Sequence, residues 1–420
     1  MLRTFCFFYG LKSNLYKPDS ALAAMQLKKL QRLLVHAYDN TDYYRRLFDE
    51  HKFEPNRIEA VDDLRRLPIL TKSDIKENCD SILARKSSDH KLITHHTSGS
   101  TGIPLEIFGD SRSEAYNRAL KYRAYVENGL GLRDVVAEVT SPENVNSHKY
   151  WLQRLGFFRR HKLSVLDDHT ELFAQINRIK PDVLECYPSV LNLIARDCKK
   201  ENLQFRPKII FTTAELLLPA WRKNIVRFFD CDVRDMYGSA EFYRLAWECE
   251  KHEGYHLDTD AHVIEFLDKE NNPVSKGDGH VVVTGLFNYV FPLIRYKVGE
   301  IARLKDRMCS CGRSLPLIDS IQGREDDYIK LPSGRTVSPR KINLLDSVKG
   351  IKEYVTIQLK KDLIKVEVVR SQDFTEDAVE SIKKQIRQGC MGEAVDVNVE
   401  LVMKIKRKPG KIRTVISLVK

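Results

Sequence analysis

Residues 183–238 read VLECYPSVLNLIARDCKKENLQFRPKIIFTTAELLLPAWRKNIVRFFDCDVRDMYG, and they alternate between two kinds of apolar pattern. VLEC, IIFTTAE and VRDMYG carry short runs of strand length, whereas SVLNLIARDCKK and LPAWRKNIVRFF have helical spacing. Strand, helix, strand, helix, strand predicts a twisted, largely parallel α/β sheet. Ligands of such sheets gather at the C-terminal ends of the strands.

Towards the C-terminus, HVIEF (262–266) and HVVVT (280–284) read as further strands joined through the turn-rich KENNPVSKGDG. After Gly323 the character changes. EYVTIQL, LIKVEVVR, VDVNVELV and RTVISLV are strand-like and EDAVESIKKQIRQ is helical, which describes a small α+β domain of about a hundred residues. The expected division is a large domain over 1–323 and a small one over 324–420. Towards the N-terminus, residues 19–38 predict an amphipathic helix: Asp19 and Ser20 offer N-caps, and Leu27, Leu30, Leu34 and Tyr38 recur at helical spacing. The sequence has no internal repeat and no low-complexity tract.

Composition narrows the class. The 420 residues are 42% apolar and 30% charged, which excludes a disordered or fibrous chain and points to more than one domain. The uncharged run 281–294 is interrupted by Gly285, Asn288 and Pro292 and is too short to span a bilayer. No transmembrane segment is expected. The N-terminal MLRTFCFFYG is not followed by a small-residue cleavage site, which argues against a secretory signal. Nine cysteines, odd in number and irregular in spacing, do not read as a disulfide framework, so a reducing, cytoplasmic setting is expected.

Net charge is +11, from 69 Lys and Arg against 58 Asp and Glu. Residues 324–420 hold 21 of those cations and 14 of the acids, a surplus of seven. Such a basic piece suits nucleic acid, an anionic membrane surface or a phosphorylated small molecule. Charge alone does not choose among them.

The sharpest local signal is Thr97, Ser98, Gly99, Ser100, Thr101 and Gly102, which follow the β-prone LIT at 92–94. Glycines free backbone N–H groups to converge on an anion, and hydroxyls add donors to phosphate oxygens. No Lys follows the second glycine, so this is not a GxxxxGK[ST] loop. A plain flexible Ser/Gly loop is the other reading of these residues.

The companions of this loop decide between the two. TSGSTGIP (97–104), YGSAE (237–241), PLIRYKVGE (292–300), GREDDYIKLPSG (323–334) and Gly410-Lys411 occur in the order of the adenylate-forming superfamily, which includes acyl-CoA synthetases, peptide-synthetase adenylation domains and luciferases. With YYRRLF (43–48), LPILTKSDI (67–75) and CSCGR (309–313), the chain most resembles the phenylacetate-CoA ligase branch and its relatives in capsular polysaccharide biosynthesis. The resemblance implies a large adenylation domain with a small C-terminal lid. It implies ATP, magnesium and a carboxylate as ligands, with coenzyme A or another thiol or amine as acyl acceptor.

Residue by residue, the resemblance implies that Tyr237, with Gly238 and Ser239 beside it, stacks on adenine. Glu241 holds magnesium against the ATP phosphates, as a hard carboxylate should. Glu215 passes along the adenine, and Glu300 and Arg324 contact the ribose. Relatives usually carry Asp where Glu300 stands; the extra methylene keeps the acceptor and changes its reach. Asp326 is the hinge about which the small domain rotates between half-reactions. Lys411 is the catalytic lysine, its ammonium bridging the carboxylate and the α-phosphate in the transition state. Read singly, Lys411 is a solvated charge in KIKRKPGKIR, Arg324 a surface Arg and YGSAE a turn after a buried strand. Tyr187-Pro188-Ser189 and Thr213-Ala214 are expected to line the acid pocket. One departure from the superfamily, Leu105 where many members carry a Lys after the loop proline, is shared by the phenylacetate branch.

Cys309 and Cys311, close in sequence, lie some 60 residues after Cys249, which is followed by His252 and His256. Two thiolates from one tight turn with a Cys and a His from another suit a structural zinc site of Cys3His type; reduced cysteines that are merely close in space are the other reading. His256 is the preferred fourth ligand and His252 the alternative. Cys6, Cys79, Cys186, Cys198, Cys231 and Cys390 have no partner at metal spacing.

The leading reading is therefore an ATP-dependent, AMP-forming acid ligase serving surface polysaccharide assembly. An aryl-CoA ligase of aromatic degradation and a noncatalytic nucleotide-binding protein of the same fold are the alternatives. Nucleic-acid binding is not expected, because the basic tail lacks interleaved aromatics.

Overall fold

A computed structural model of the chain describes residues 2–85, 91–96, 105–145, 153, 155–342, 345, 348–405 and 413–419. The chain forms two compact units, 1–129 with 236–320 and 130–235 with 321–420.

The second unit contains the stretch that set the fold class. Val183–Cys186 pairs in parallel with Ile209–Thr212, which pairs in parallel with the start of Val233–Tyr237. On its other side Val183–Cys186 meets Val135–Thr140, and that strand meets Arg159–Ser164. Every residue of VLEC and IIFT is buried, as strands with helices on both faces require. Helices His169–Ile179, Pro188–Asp197 and Pro219–Phe229 supply Leu172, Leu191, Trp221 and Phe228 to that core. The winding direction reverses between Val135–Thr140 and Val183–Cys186. A crevice for ligands opens at the carboxyl ends of strands at such a switch point, which puts Tyr187–Ser189 at its edge.

The same unit holds the four-stranded sheet expected after Gly323. Its order is Asp396–Leu401, Leu363–Arg370, Ile351–Lys360 and Val415–Ser417. Helix Glu376–Gly389 lays Ile382 and Ile386 onto Ile364, Val366 and Val368, a core drawn from residues 329–415 alone.

In the first unit the strands are antiparallel. His262–Leu267 pairs with Asp278–Gly285, which pairs with Tyr296–Leu304; Tyr255–Leu257 joins Leu317 and Ile318 to Ala246–Glu248. The expected helix at 19–38 runs Asp19–Asn40, but neither Asp19 nor Ser20 caps it. Pro18 takes the capping position, where its lack of an N–H costs nothing, and Asp19 places its charge against the positive end of the helix.

Helix Leu2–Asn14 is fixed by a fully buried ion network. Arg123, in helix Ser111–Glu127, donates to Asp260 Oδ2 at 2.6 Å, to Asp258 Oδ1 at 2.5 Å and to the Leu11 carbonyl at 3.0 Å. Arg244 donates to Asp258 Oδ2 at 2.7 Å, and Asn14 to Asp260 Oδ2 at 2.9 Å. Burial alone would raise the pKa of Asp260, but Arg123 and Asn14 hold it below the usual carboxylate range. Among the described residues no helix is long and apolar enough to cross a membrane.

Candidate functional site

The strand Val233–Tyr237 delivers the YGSAE motif into a closed turn. A Cβ on Gly238 would lie 1.7 Å from the Tyr243 carbonyl oxygen, so only glycine fits there. Leu245 N–H returns to the Tyr237 carbonyl at 2.9 Å, and Tyr237 then pairs with Ala246. Tyr237 is buried, whereas Gly238, Ser239 and Glu241 are half-buried.

Glu241 is held by a second motif. Tyr296, within PLIRYKVGE, donates its hydroxyl to Glu241 Oε1 at 3.0 Å. Burial, and then the charges of Glu241 and half-buried Glu300, push the Tyr296 hydroxyl far up, so it stays a donor. Its neighbour Arg295 is buried, pairs bidentately with Glu265 at 3.0 Å and donates to the Leu67 carbonyl. Leu70 N–H in turn donates to the Arg295 carbonyl at 2.9 Å, so LPILT is sewn to PLIRYKVGE. A carboxylate fixed by a buried phenol suits a hard divalent cation such as magnesium.

In the second unit, Glu215 accepts from the Ser189 N–H at 3.2 Å. That N–H lies in the first turn of helix Pro188–Asp197, where a carboxylate is favoured by the helix dipole. Tyr187–Ser189 and Thr213-Ala214, both expected at the acid pocket, are thereby joined through Glu215, which was expected along the adenine. Ala214 takes a left-handed φ of +73° to make the loop, and burial with the Glu215 charge pushes Tyr187 up to about 12.

Arg324 ends the strand Leu317–Arg324 and leads into the short turn Glu325–Asp327, where Asp326 is exposed. Arg413 pairs with Asp327 in that turn. Burial first, and then the nearby Arg324, hold Arg413 below its usual pKa. Sequence reasoning missed this residue, although it stands two positions after Lys411. Thr97, Ser98, Gly99, Ser100, Thr101, Gly102 and Lys411 lie outside the described residues.

Cys249, His256, Cys309 and Cys311 offer four ligand atoms that all lie within 4.8 Å of one another. Cys249 Sγ is 3.6 Å from Cys309 Sγ, and Cys311 Sγ is 3.4 Å from His256 Nε2. The edges of a tetrahedron around zinc are about 3.8 Å between sulfurs and about 3.5 Å between sulfur and nitrogen. The donor set fits that ion. His256 faces the Leu315 carbonyl through Nδ1 at 3.3 Å, which leaves Nε2 to face the thiols. His252 stands elsewhere, with Nδ1 3.9 Å from Glu248. The register explains the choice: Trp247 pairs with His256, and His256 with Leu317, so that ring is fixed between two strands. Burial pushes the Cys249 and Cys309 thiols up and His256 down to about 4; a bound dication would instead favour the thiolates.

Comparison with known proteins agrees with this anatomy. No family model matches the chain. It is 25% identical over 406 residues to protein CapK of Staphylococcus aureus, covering 93% of this chain and 87% of that one. It is 28% identical over 331 residues to the phenylacetate-coenzyme A ligase of Escherichia coli K12, covering 73% and 72%. In structure it matches 2-hydroxyisobutyryl-CoA ligase in its postadenylation state with a TM-score of 0.81 at 21% identity, covering 96% and 91%. The chain is a homologue of the phenylacetate-coenzyme A ligases and of CapK, and its fold is that of the adenylate-forming acyl-CoA ligases.

Proposed function

We propose that this chain is an AMP-forming acid ligase. A carboxylate oxygen attacks the α-phosphorus of ATP, the α–β anhydride bond breaks, and pyrophosphate leaves with the electron pair. A thiol or amine then attacks the acyl carbon and displaces AMP. The observation that carries the reading is the Tyr296–Glu241 hydrogen bond, which links two motifs of the superfamily that lie 55 residues apart in sequence.

In this reading Tyr237, Gly238, Ser239 and Glu300 serve the nucleoside, as do Glu215 and Arg324, and residues 97–102 cradle the phosphates. Magnesium on Glu241 would offset phosphate charge. Lys411 stabilises the charge gathering at the α-phosphate, and Asp326 is the hinge. The crevice beside Tyr187–Ser189 and Thr213–Ala214 takes the acid. Coenzyme A is the acceptor favoured by the coenzyme A ligase homologues, and the basic residues of 324–420 suit its phosphates. The CapK likeness favours a role in surface polysaccharide assembly. Zinc on Cys249, His256, Cys309 and Cys311 would be structural, since four protein ligands leave no open position.

The test is pyrophosphate release from ATP and magnesium with a panel of carboxylic acids, with and without coenzyme A. Lys411→Ala is expected to lower adenylation about 100- to 1,000-fold while leaving ATP affinity in place. Absence of both ATP binding and pyrophosphate release with every acid would overturn the reading. A noncatalytic nucleotide binder is favoured only by Glu300 in place of Asp, and that protein would bind ATP yet release no pyrophosphate.

A further inference from the structure

We infer that His95, Glu114 and Tyr243 form a positioning triad that ties the hairpin bearing residues 97–104 to the turn bearing Glu241. The inference rests on the adenylate-forming reading for its catalytic consequence and on geometry for its existence.

Strand Ile93–His96 pairs antiparallel with Glu106–Gly109, Thr94 opposite Phe108 and His95 opposite Ile107. The small-residue segment is the chain between these two strands, so whatever fixes their base fixes where it leaves and returns. Tyr243 sits two residues after Glu241. Its hydroxyl lies 2.6 Å from Glu114 Oε1 and 2.5 Å from His95 Nε2, and His95 Nε2 lies 2.9 Å from Glu114 Oε1. Two protons satisfy the three contacts: the phenol donates to Glu114, and Nε2–H is shared between Glu114 and the phenol oxygen. Strand, helix and turn therefore meet at one carboxylate.

Two further observations say that this knot serves the site. Tyr243 has a φ of +60°, a conformation that a bulky residue keeps only when its surroundings over-determine it. The backbone that carries Tyr243 is also the one that closes over Gly238, so the strained residue and the motif turn are a single unit. Moreover, His95, Glu114, Tyr243 and Glu241 line one small cleft, walled by Phe108 and Phe287. The triad thus faces the same space as the carboxylate assigned to magnesium. Burial would raise the pKa of Glu114, but its His95 and Tyr243 hydrogen bonds hold it below the ordinary value, so it stays an acceptor.

Tyr243→Phe keeps the ring and removes the hydroxyl's contacts with His95, Glu114 and Asn117; Glu114→Gln keeps the shape and removes the charge. Each is expected to raise the KM for ATP or lower kcat for pyrophosphate release at least ~10-fold, with the KM for the acid and the melting temperature little changed. The double variant should lose no more than the worse single one, because the groups act together. In hydrogen exchange, Tyr243→Phe should speed the amides of 93–96 and 106–109 at least ~10-fold, whether or not the protein turns over. An active wild type with unaltered Tyr243→Phe kinetics overturns the proposal, as does unchanged exchange of the hairpin. Losses that only follow the melting temperature overturn it as well. A wild type that neither binds ATP nor releases pyrophosphate counts against the adenylate-forming reading instead, and the exchange experiment still decides the triad.

Discussion

Two buried polar clusters stand almost side by side in sequence and solve opposite problems. His256 belongs to the Cys249, Cys309 and Cys311 set, while Asp258 and Asp260, two and four residues on, belong to the Arg123 network. In the network the carboxylates find their cations within the chain, at 2.5 and 2.6 Å from Arg123 and 2.7 Å from Arg244. In the Cys3His set four electron-pair donors face one another, with Arg313 only at its margin beside Cys311. The first cluster is a finished bolt. The second is a donor set that a zinc ion would complete, and the difference is legible in charge closure, not in depth of burial.

The sharpest way to break this contrast is to remove the ion. The protein purified without chelator is expected to carry about one zinc per chain, and Cys309→Ser to carry nearly none. Seating a structural zinc is worth on the order of 10 kcal/mol in small domains, so chelation should produce the largest loss of stability of any change considered. Elemental analysis and a chelator titration of the unfolding midpoint would check this; full stability with no metal at all would mean that both clusters are self-sufficient.

Next in size is Arg123→Ala, which removes the paired cation from buried Asp260 and leaves Asp258 to Arg244. A loss of about 3–5 kcal/mol in chemical denaturation is expected, independent of zinc. If Arg123→Ala instead released the metal, the two clusters would be one.

Acid separates them by a different route. Burial holds neutral His262 at a pKa of about 4, against about 6.5 in the unfolded chain, despite the nearby Asp258. The folded state then binds fewer protons than the unfolded state between those values. Stability contributed by His262 is complete above pH 6.5 and falls by about 1.4 kcal/mol per pH unit as pH drops towards 4. His262→Gln keeps an N–H for the Arg244 carbonyl and should flatten that slope relative to wild type. Equal slopes in both proteins would contradict the assignment. The smallest change is Asn14→Ala at the rim of the network, expected to cost about 1.5 kcal/mol in thermal unfolding through the lost bond to Asp260.

How much of this could be read in advance follows from the range of each interaction. The α/β core was legible because its period is local: VLEC and IIFT are strand-length runs, and the helices between them have apolar faces. The cysteine set was legible because thiols are rare and CSC brings two within one turn; His256 was preferred over His252 by resemblance, and strand register supplies the physical reason. Arg123 was not legible. Helix Ser111–Glu127 is buried at Ala115, Tyr116, Ala119, Leu120, Arg123 and Ala124, so its pattern shows no polar face to set the Arg apart, and its partner lies 137 residues away. Tyr243 hid for the same reason, since a tyrosine after YGSAE carries no mark of the His95 and Glu114 it will meet. Motif resemblance pointed to Glu241 but not to the Tyr296 hydroxyl that holds it.

The attachment of Asn14 to Asp260 also sets an order of events at the ribosome. These partners are separated by 246 residues, so this bond of helix Leu2–Asn14 waits until the chain between them has been made. At about 5–20 residues per second, that interval is roughly 12–50 s. Leu11 waits less, because Tyr116, Ala119 and Leu120, which pack with it, are made about a hundred residues after it. Helix Leu2–Asn14 is thus stitched in two stages, to helix Ser111–Glu127 first and to Asp260 last.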